Sequence, residues 1–373
     1  MLLGIAAPAW ADLSVLVAIE PTARKDGLMV SRTGLESGLS KLMSEPVTVT
    51  TSDDLTDAMR ATRSGGYDVF IAPAQVAASA IGHGYELIGS TDPAEEYLLI
   101  GSKEVGDVAD LRRRRIYLPQ QDSLYTYLAR GLLNASSLSF KDLGRVQYAR
   151  YPQAGLTAIE LHQADATLVR REDWEPWSKD SRTGAKVLAK YEGVPGGFSV
   201  VVKKDLDAGA RAQLTKWFAA PLRNAGIRPV AAHAELDSYR KVAQLGTFTP
   251  TDLAGATLVG VAEVRRLMSQ GVILVDTRNQ QEYAQRHIPG ARFVPYGEKS
   301  LKDVAYDAAL DDFAGLKSLD PNRPTIFQCN GPECWKSYKA ARAAIGAGFK
   351  KVYWFRGGMP AWEAANLQTA SGL

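Results

Sequence analysis

Short apolar runs separated by amphipathic stretches recur along most of this chain, and that alternation limits the folds open to it. Residues 13–19, Leu-Ser-Val-Leu-Val-Ala-Ile, read as a buried strand. Leu35, Leu39 and Leu42 mark one face of a helix over 34–43. A strand over 47–50, a helix over 55–63 and a strand over 67–71 follow, the last ending at Ala72-Pro73. The pattern then repeats: strand 116–118, helix 124–133, strand 146–148, helix 155–163, strand 166–169. A long strand at 198–202 and a helix at 208–218 close the region. Strand–helix alternation predicts a mainly parallel sheet with helices covering both faces.

Length and composition agree with a globular α/β chain. At roughly 100–200 residues per domain, 373 residues make two or three domains. Phe248-Thr-Pro-Thr-Asp252 reads as a linker, which predicts a two-lobed region over 12–245, a linker over 246–252 and a last domain over 253–373. A net charge of +3 gives no reason to expect nucleic acid. The one basic block, Arg112-Arg113-Arg114-Arg115, reads as a solvated turn before a strand. Residues 1–11 are apolar and end in Ala9-Trp10-Ala11, a small-x-small pattern that reads as the remnant of a secretory signal. No later stretch approaches the ~18 apolar residues of a membrane span. An exported, periplasmic protein is the expectation.

The two cysteines, Cys329 and Cys334, share one short loop, which points to chemistry or a local clip rather than a disulfide scaffold. An apolar strand over 325–328 ends at Cys329. The loop Asn330-Gly331-Pro332-Glu333-Cys334-Trp335 leads to a helix expected to start near Lys336-Ser337. A thiolate attacks sulfur where a thiol does not. A cysteine that ends a parallel strand sits where α/β sheets place their ligands. The loop's N–H groups and the helix N-terminus would lower its pKa and cradle an anion. Gly331 permits the turn and Pro332 stiffens it. No histidine accompanies the pair, His287 belonging to a separate turn, so neither metal nor cofactor is expected.

Region one resembles the periplasmic solute-binding proteins, within them the phosphonate/phosphite-binding group. The segments carrying the likeness are Gly66-Tyr67-Asp68-Val69-Phe70-Ile71-Ala72-Pro73, Val108-Ala109-Asp110-Leu111, Gln163-Ala164-Asp165-Ala166 and Val194-Pro195-Gly196-Gly197-Phe198. The resemblance implies two α/β lobes with a small anionic or sulfur-containing ligand held between them at a helix N-terminus. Ser123, Tyr125 and Thr126 occupy the matching turn, although Leu124 and Tyr125 break the family's run of small hydroxyl residues and glycine, and Asp122 adds negative charge. Ser123 also reads as a plain helix N-cap.

Region two resembles the rhodanese family. Val275-Asp276-Thr277-Arg278, Glu282-Tyr283, His287-Ile288-Pro289-Gly290-Ala291 and Gly357-Gly358-Met359-Pro360-Ala361-Trp362 stand in the family's order and spacing. The resemblance implies a doubly wound parallel α/β domain. It also implies that Cys329 carries sulfane sulfur as a persulfide, with Asp276 and Arg278 paired near the loop. Simple rhodaneses have about six residues from the cysteine to a helix-opening serine, often with an arginine between; here Ser337 lies eight positions on, and Lys336 is the loop's cation. The Cys334-Trp335 pair is similar to rhodanese-like proteins found with exported quinoprotein oxidation systems. A phosphatase of this fold would need arginine where Trp335 stands.

Three functions are open from sequence: a sulfurtransferase with Cys329 as nucleophile, a binding or redox-accessory protein with a Cys329–Cys334 disulfide, and a transporter receptor. The partners expected are a small sulfur donor, such as thiosulfate or a persulfide, and a periplasmic protein.

Overall fold

The computed structural model describes residues 13–21, 31–219 and 236–373. The expected signal remnant at 1–11 lies outside them. The chain divides into two compact units, Met1–Gly246 and Thr247–Leu373.

The first unit begins with β1 (Leu13–Ala18), α1 (Arg32–Met43), β2 (Val47–Ser52), α2 (Leu55–Ser64), β3 (Val69–Ala72) and α3 (Ala74–Gly82). It continues with β4 (Tyr85–Gly101), β5 (Arg115–Leu118), α4 (Leu124–Ala135), β6 (Arg145–Tyr148), α5 (Ala154–Glu160) and β7 (Ala166–Arg170). Then come α6 (Arg171–Asp180), β8 (Lys186–Lys203), α7 (Ala208–Ala219) and α8 (Leu236–Ala243). Local chemistry sets several of these bounds. The Ser31 and Asp54 side chains cap α1 and α2 by accepting from Gly34 N and Asp57 N. β1 buries both faces: Val15 and Val17 pack with Leu35, Leu39 and Trp217, whereas Leu16 and Ala18 pack with Leu55 and Phe70. A strand buried on both sides reads as a continuous apolar run.

The strands form one sheet in the order β2-β1-β3-β8-β4-β7-β5-β6. Its flanks are parallel, as the alternation predicts, but its centre is not. β8 runs antiparallel to β3 and β4, and β4 antiparallel to β7. These two long strands lie side by side at the centre and join the two parallel flanks. β4 pairs through Tyr97–Gly101 with β7 on the β5–β6 side, and through Tyr85–Ser90 with the end of β8 that adjoins β3. The pairing shifts register repeatedly between Leu87 and Tyr97. Within that pairing Gly197 has φ +60°, and a β-carbon there would fall 1.8 Å from Asp92 Oδ2. Bulges and glycines erase the period-two signal, so the alternation near residues 85–101 escapes a sequence reading.

The second unit comprises β9 (Ala256–Leu258), α9 (Val261–Ser269), β10 (Ile273–Asp276), α10 (Gln280–Gln285), β11 (Arg292–Phe293), β12 (Thr325–Gln328), α11 (Trp335–Gly346), β13 (Val352–Phe355) and α12 (Gly358–Ala364). All five strands are parallel, in the order β11-β10-β12-β13-β9. Leu274 and Ile326 enter one core beside Tyr353 and Trp362, and Val275 and Phe327 enter the other beside Ala340 and Ala344. The segment between β11 and β12 is anchored to α11 by Lys339. Its buried ammonium meets Glu298 at 2.7 Å and Ser300 Oγ at 2.8 Å. β12 is thus the middle strand of a sheet covered on both faces, and its C-terminal end is the position the chain gives to Cys329.

Candidate functional site

Cys329 directly follows β12 and is 1% exposed; Cys334 is also buried. The two are joined in a disulfide, with their Cα atoms 6.1 Å apart. Asn330, Gly331, Pro332 and Glu333 lie between them. Gly331 takes φ +85°, a left-handed turn that side chains with a β-carbon rarely adopt. The Cys334 N–H closes the turn on Gly331 O at 3.0 Å.

The helix after the loop starts earlier than the sequence predicts. It opens at Trp335, and Cys334 is its N-cap residue in extended conformation. Ser337 is not a cap: its hydroxyl accepts from the Trp354 indole N–H at 3.1 Å, inside the core. The sulfur held at the helix N-terminus is therefore that of Cys334. Unpaired N–H groups and the positive end of the helix dipole favour a thiolate there once the bridge is reduced.

The back of the loop rests on the Gly357-Gly358 turn. Met359 N donates to Cys329 O at 2.9 Å, and Gly358 takes φ +53°. A β-carbon on Gly358 would stand 1.9 Å from Cys329 O. Gly358→Ala is accordingly expected to destabilise the protein by more than the ~1–3 kcal/mol of the dihedral alone, because the loop backbone must also move. Urea unfolding of the full chain, followed by tryptophan fluorescence, checks this.

A buried polar network supports the loop from β10. Arg278 meets Asp276 through Nε at 3.0 Å and Nη2 at 2.7 Å, with both side chains almost wholly buried. Arg278 Nη2 also donates to Arg286 O at 2.7 Å, and Nη1 to Asn330 Oδ1 at 3.3 Å. Asn330 Nδ2 in turn donates to Glu282 Oε1 at 2.7 Å. Arg278 is committed to this network and reaches the loop through Asn330. Asn330 is the link between network and cysteine. Its bridge to Glu282 spans 48 residues and leaves no mark in local sequence.

The front of the loop is held by the segment at the start of the unit. Thr249 donates through both N–H (2.8 Å) and hydroxyl (2.9 Å) to Pro332 O. The Trp335 indole N–H donates to Thr247 O at 2.9 Å, and the Trp335 ring packs edge-on against Tyr338. Arg356, just beyond β13, donates to Thr249 Oγ1 at 3.0 Å and Thr249 O at 2.8 Å. Burial lowers the pKa of the Arg356 guanidinium from its ordinary value. Lys336 is half-buried. Within the stretch expected to be a linker, Thr247 and Thr249 thus strap the loop between Cys329 and Trp335. Thr249→Val removes two hydroxyl hydrogen bonds, each worth about 1 kcal/mol. A loss of about 1–3 kcal/mol is expected in thermal or urea unfolding.

In the first unit the residues singled out by sequence gather at the start of α4. Ser123 caps the helix, accepting from Tyr125 N at 3.2 Å. Thr126 donates to Gln120 O at 2.9 Å, and Tyr125 is buried edge-on against Tyr97. Sequence reasoning missed Glu20, which lies two residues past β1. Its carboxylate accepts from the Ser123 hydroxyl, from Leu124 N at 3.2 Å and from Gln75 Nε2 at 3.1 Å. The expected seat for an anion is filled by this side chain. An acidic residue just past a parallel strand was the one available signal. Among the described residues no group of three or more His, Cys, Asp or Glu is placed to hold a metal, and no helix is long and apolar enough to cross a membrane.

Comparison with known proteins covers both units. Residues 17–244 match the family of periplasmic substrate-binding proteins of phosphonate ABC transporters, and residues 260–365 match the rhodanese-like domain. The second unit is similar to the thiosulfate sulfurtransferase GlpE of Ectopseudomonas mendocina (strain ymp), at 32% identity over 111 residues, 30% of this chain and 88% of that one. GlpE of Pseudomonas putida (strain GB-1) is 33% identical over 104 residues, 28% of this chain and 81% of that one. Among solved structures, PhnD1 of Prochlorococcus marinus (MIT 9301), in complex with methylphosphonate, covers 62% of this chain and 97% of its own at 14% identity and a TM-score of 0.47. A phosphonate-transporter binding protein of Pseudomonas aeruginosa covers 58% and 77%, at 16% identity and a TM-score of 0.44. The chain belongs to the phosphonate-type periplasmic substrate-binding protein family through its first unit and to the rhodanese-like family through its second.

Proposed function

We propose that this is a periplasmic sulfurtransferase and sulfur carrier whose nucleophile is Cys329, with the first unit recognising a small solute. The observation that carries the reading is the position of Cys329: it ends the central parallel strand of a rhodanese-like unit, in a turn clamped by Asn330, Gly331 and Gly358. The reduced Cys329 thiolate attacks the outer sulfur of thiosulfate. The sulfur–sulfur bond of the donor breaks, sulfite leaves, and a persulfide stands on Cys329. The loop N–H groups and the start of α11 steady the anionic charge.

Cys334 gives the persulfide a second fate. Its thiolate can attack the Cys329 sulfur, expelling hydrosulfide and forming the Cys329–Cys334 disulfide; an external dithiol must then reduce the bridge before another cycle. The bridge in the structure also supports a second reading, a redox-accessory protein of an exported oxidation system that keeps the pair oxidised.

Intact-mass measurement on the full chain separates the two. After reduction and exposure of the Cys334→Ser chain to thiosulfate, a gain of one sulfur confined to Cys329 supports the transferase. A Cys334→Ser chain that gains no sulfur from thiosulfate or a persulfide donor would leave the redox-accessory reading standing and remove the transferase.

A further inference from the structure

The first unit carries a charge arrangement that its family membership does not explain. At the start of α4, where N–H groups would receive an oxyanion, the acceptor is the protein's own Glu20. Part of Glu20 reaches solvent, while its carboxyl is packed among protein atoms. Burial raises that carboxyl above its ordinary 4.5, and hydrogen bonds from Ser123, Leu124 and Gln75 and the charge of Arg170 offset only part of the rise.

The surroundings add negative charge. Tyr125 lies within electrostatic reach of Glu20, Glu95, Asp173 and Arg170. Arg170 is already shared among carboxylates, meeting Glu172 at 3.1 Å, Glu95 at 3.6 Å and Asp173 at 3.7 Å. One guanidinium thus meets three carboxylates, and its charge also reaches Glu20.

An independent observation points to a hydrogen-bond donor. Gln75, at the start of α3, is 1% exposed. Its Nε2 donates to Glu20 Oε2 and to Asp122 O, both at 3.1 Å. Two acceptors fix which end of the amide is nitrogen. Gln75 Oε1 therefore lies in the same corner, and it has no hydrogen-bond partner. A buried acceptor without a donor is rare in folded proteins. An arriving oxyanion would meet that acceptor and the Glu20 carboxylate, both repulsive. A protonated amine would meet two acceptors and a negative field.

We propose that this corner binds a small cationic hydrogen-bond donor, an alkylammonium, with Glu20 as its counter-charge and Gln75 Oε1 as a second acceptor, and that Glu20 excludes phosphonates, sulfonates and thiosulfate from the unit. The proposal rests on the solute-binding reading of the first unit. It places recognition of the sulfur donor in the second unit alone.

Calorimetric titration of the full chain with ethanolamine and putrescine, against methylphosphonate and thiosulfate, tests it. Thiosulfate is run on protein whose Cys329–Cys334 bridge is intact, so that the second unit does not react. Wild type is expected to take at least one of the amines and neither oxyanion. Glu20→Gln, which keeps the shape and removes the charge, should weaken amine binding at least tenfold. Glu20→Ala, which frees the Ser123 hydroxyl and Leu124 N–H, should admit methylphosphonate. Methylphosphonate or thiosulfate binding to wild type, or amine binding indifferent to Glu20→Gln, would overturn this proposal and leave solute binding intact. Failure of all four probes with wild type and both variants would overturn the solute-binding reading with it. Should either variant melt well below wild type, the wild-type choice between amine and oxyanion decides alone.

Discussion

Cys329→Ala is expected to abolish thiocyanate formation from thiosulfate and cyanide, a fall of more than about a thousandfold, because the loop's remaining thiol, Cys334, caps α11 and does not stand at the end of β12 where the proposed transfer takes place. Cys334→Ser should behave differently. It keeps the nucleophile and removes the thiol that would discharge it. Single-turnover thiosulfate treatment should then leave a lasting persulfide on Cys329, whereas the reduced wild type should lose that sulfur as hydrosulfide and form the Cys329–Cys334 bridge. Sulfite release, cyanide trapping and intact mass measure the three products separately. Two results would count against the scheme. One is Cys329→Ala retaining a tenth or more of the wild-type rate; the other is a Cys334→Ser persulfide that decays as fast as the wild-type one. The different positions of the sulfurs make the contrast sharp. Cys329 ends a strand, whereas Cys334 caps α11, where a thiolate is stabilised and so attacks or departs readily.

Asp276→Ala should be among the most destabilising single changes in the second unit, by about 3–5 kcal/mol, because it leaves the Arg278 guanidinium buried without its counter-charge. Burying two charges costs heavily in desolvation, and the pair recovers this only while both members are present. Asp276→Leu combined with Arg278→Met should therefore stand closer to wild type in urea unfolding than either single variant. The combination should still impair sulfur transfer, because Asn330 loses the Arg278 partner that helps hold it beside Cys329. Equal stability losses in the double and single variants would mean that the pair acts through packing rather than charge. Unchanged transfer in the double variant would mean that Glu282 alone positions Asn330.

Much of this was readable from residue order. The strand before Cys329, the helix after it and the strand at Val352–Phe355 each carry a local apolar pattern, and the structure has them. α11 opens at Trp335, one residue before the expected start near Lys336-Ser337, and only the nearby Trp354 indole shows that the Ser337 hydroxyl is used inside the core. Of the central antiparallel strands of the first unit, the run at 198–202 is legible, whereas β4 and the first part of β8 are hidden for another reason. Their register shifts around Pro93, Gly196 and Gly197 leave no steady period.

The helix start at Ser123 shows the same division. Its N-cap is a local property of Asp122-Ser123-Leu124, but the carboxylate against it, that of Glu20, comes from 103 residues away. The strap on the cysteine loop is similar, since Thr249 and Pro332 are 83 residues apart. By itself, the sequence determined the α/β alternation, the two families and the cysteine at the end of the middle strand. Those properties are written in the spacing of neighbouring apolar residues, glycines and sulfur. Only the tertiary structure decided which side chain fills the helix end, which carboxylates outnumber Arg170, and which cysteine caps α11. Polar partners meet through folding of distant segments, and a buried hydrogen bond imposes no period on the residues around it.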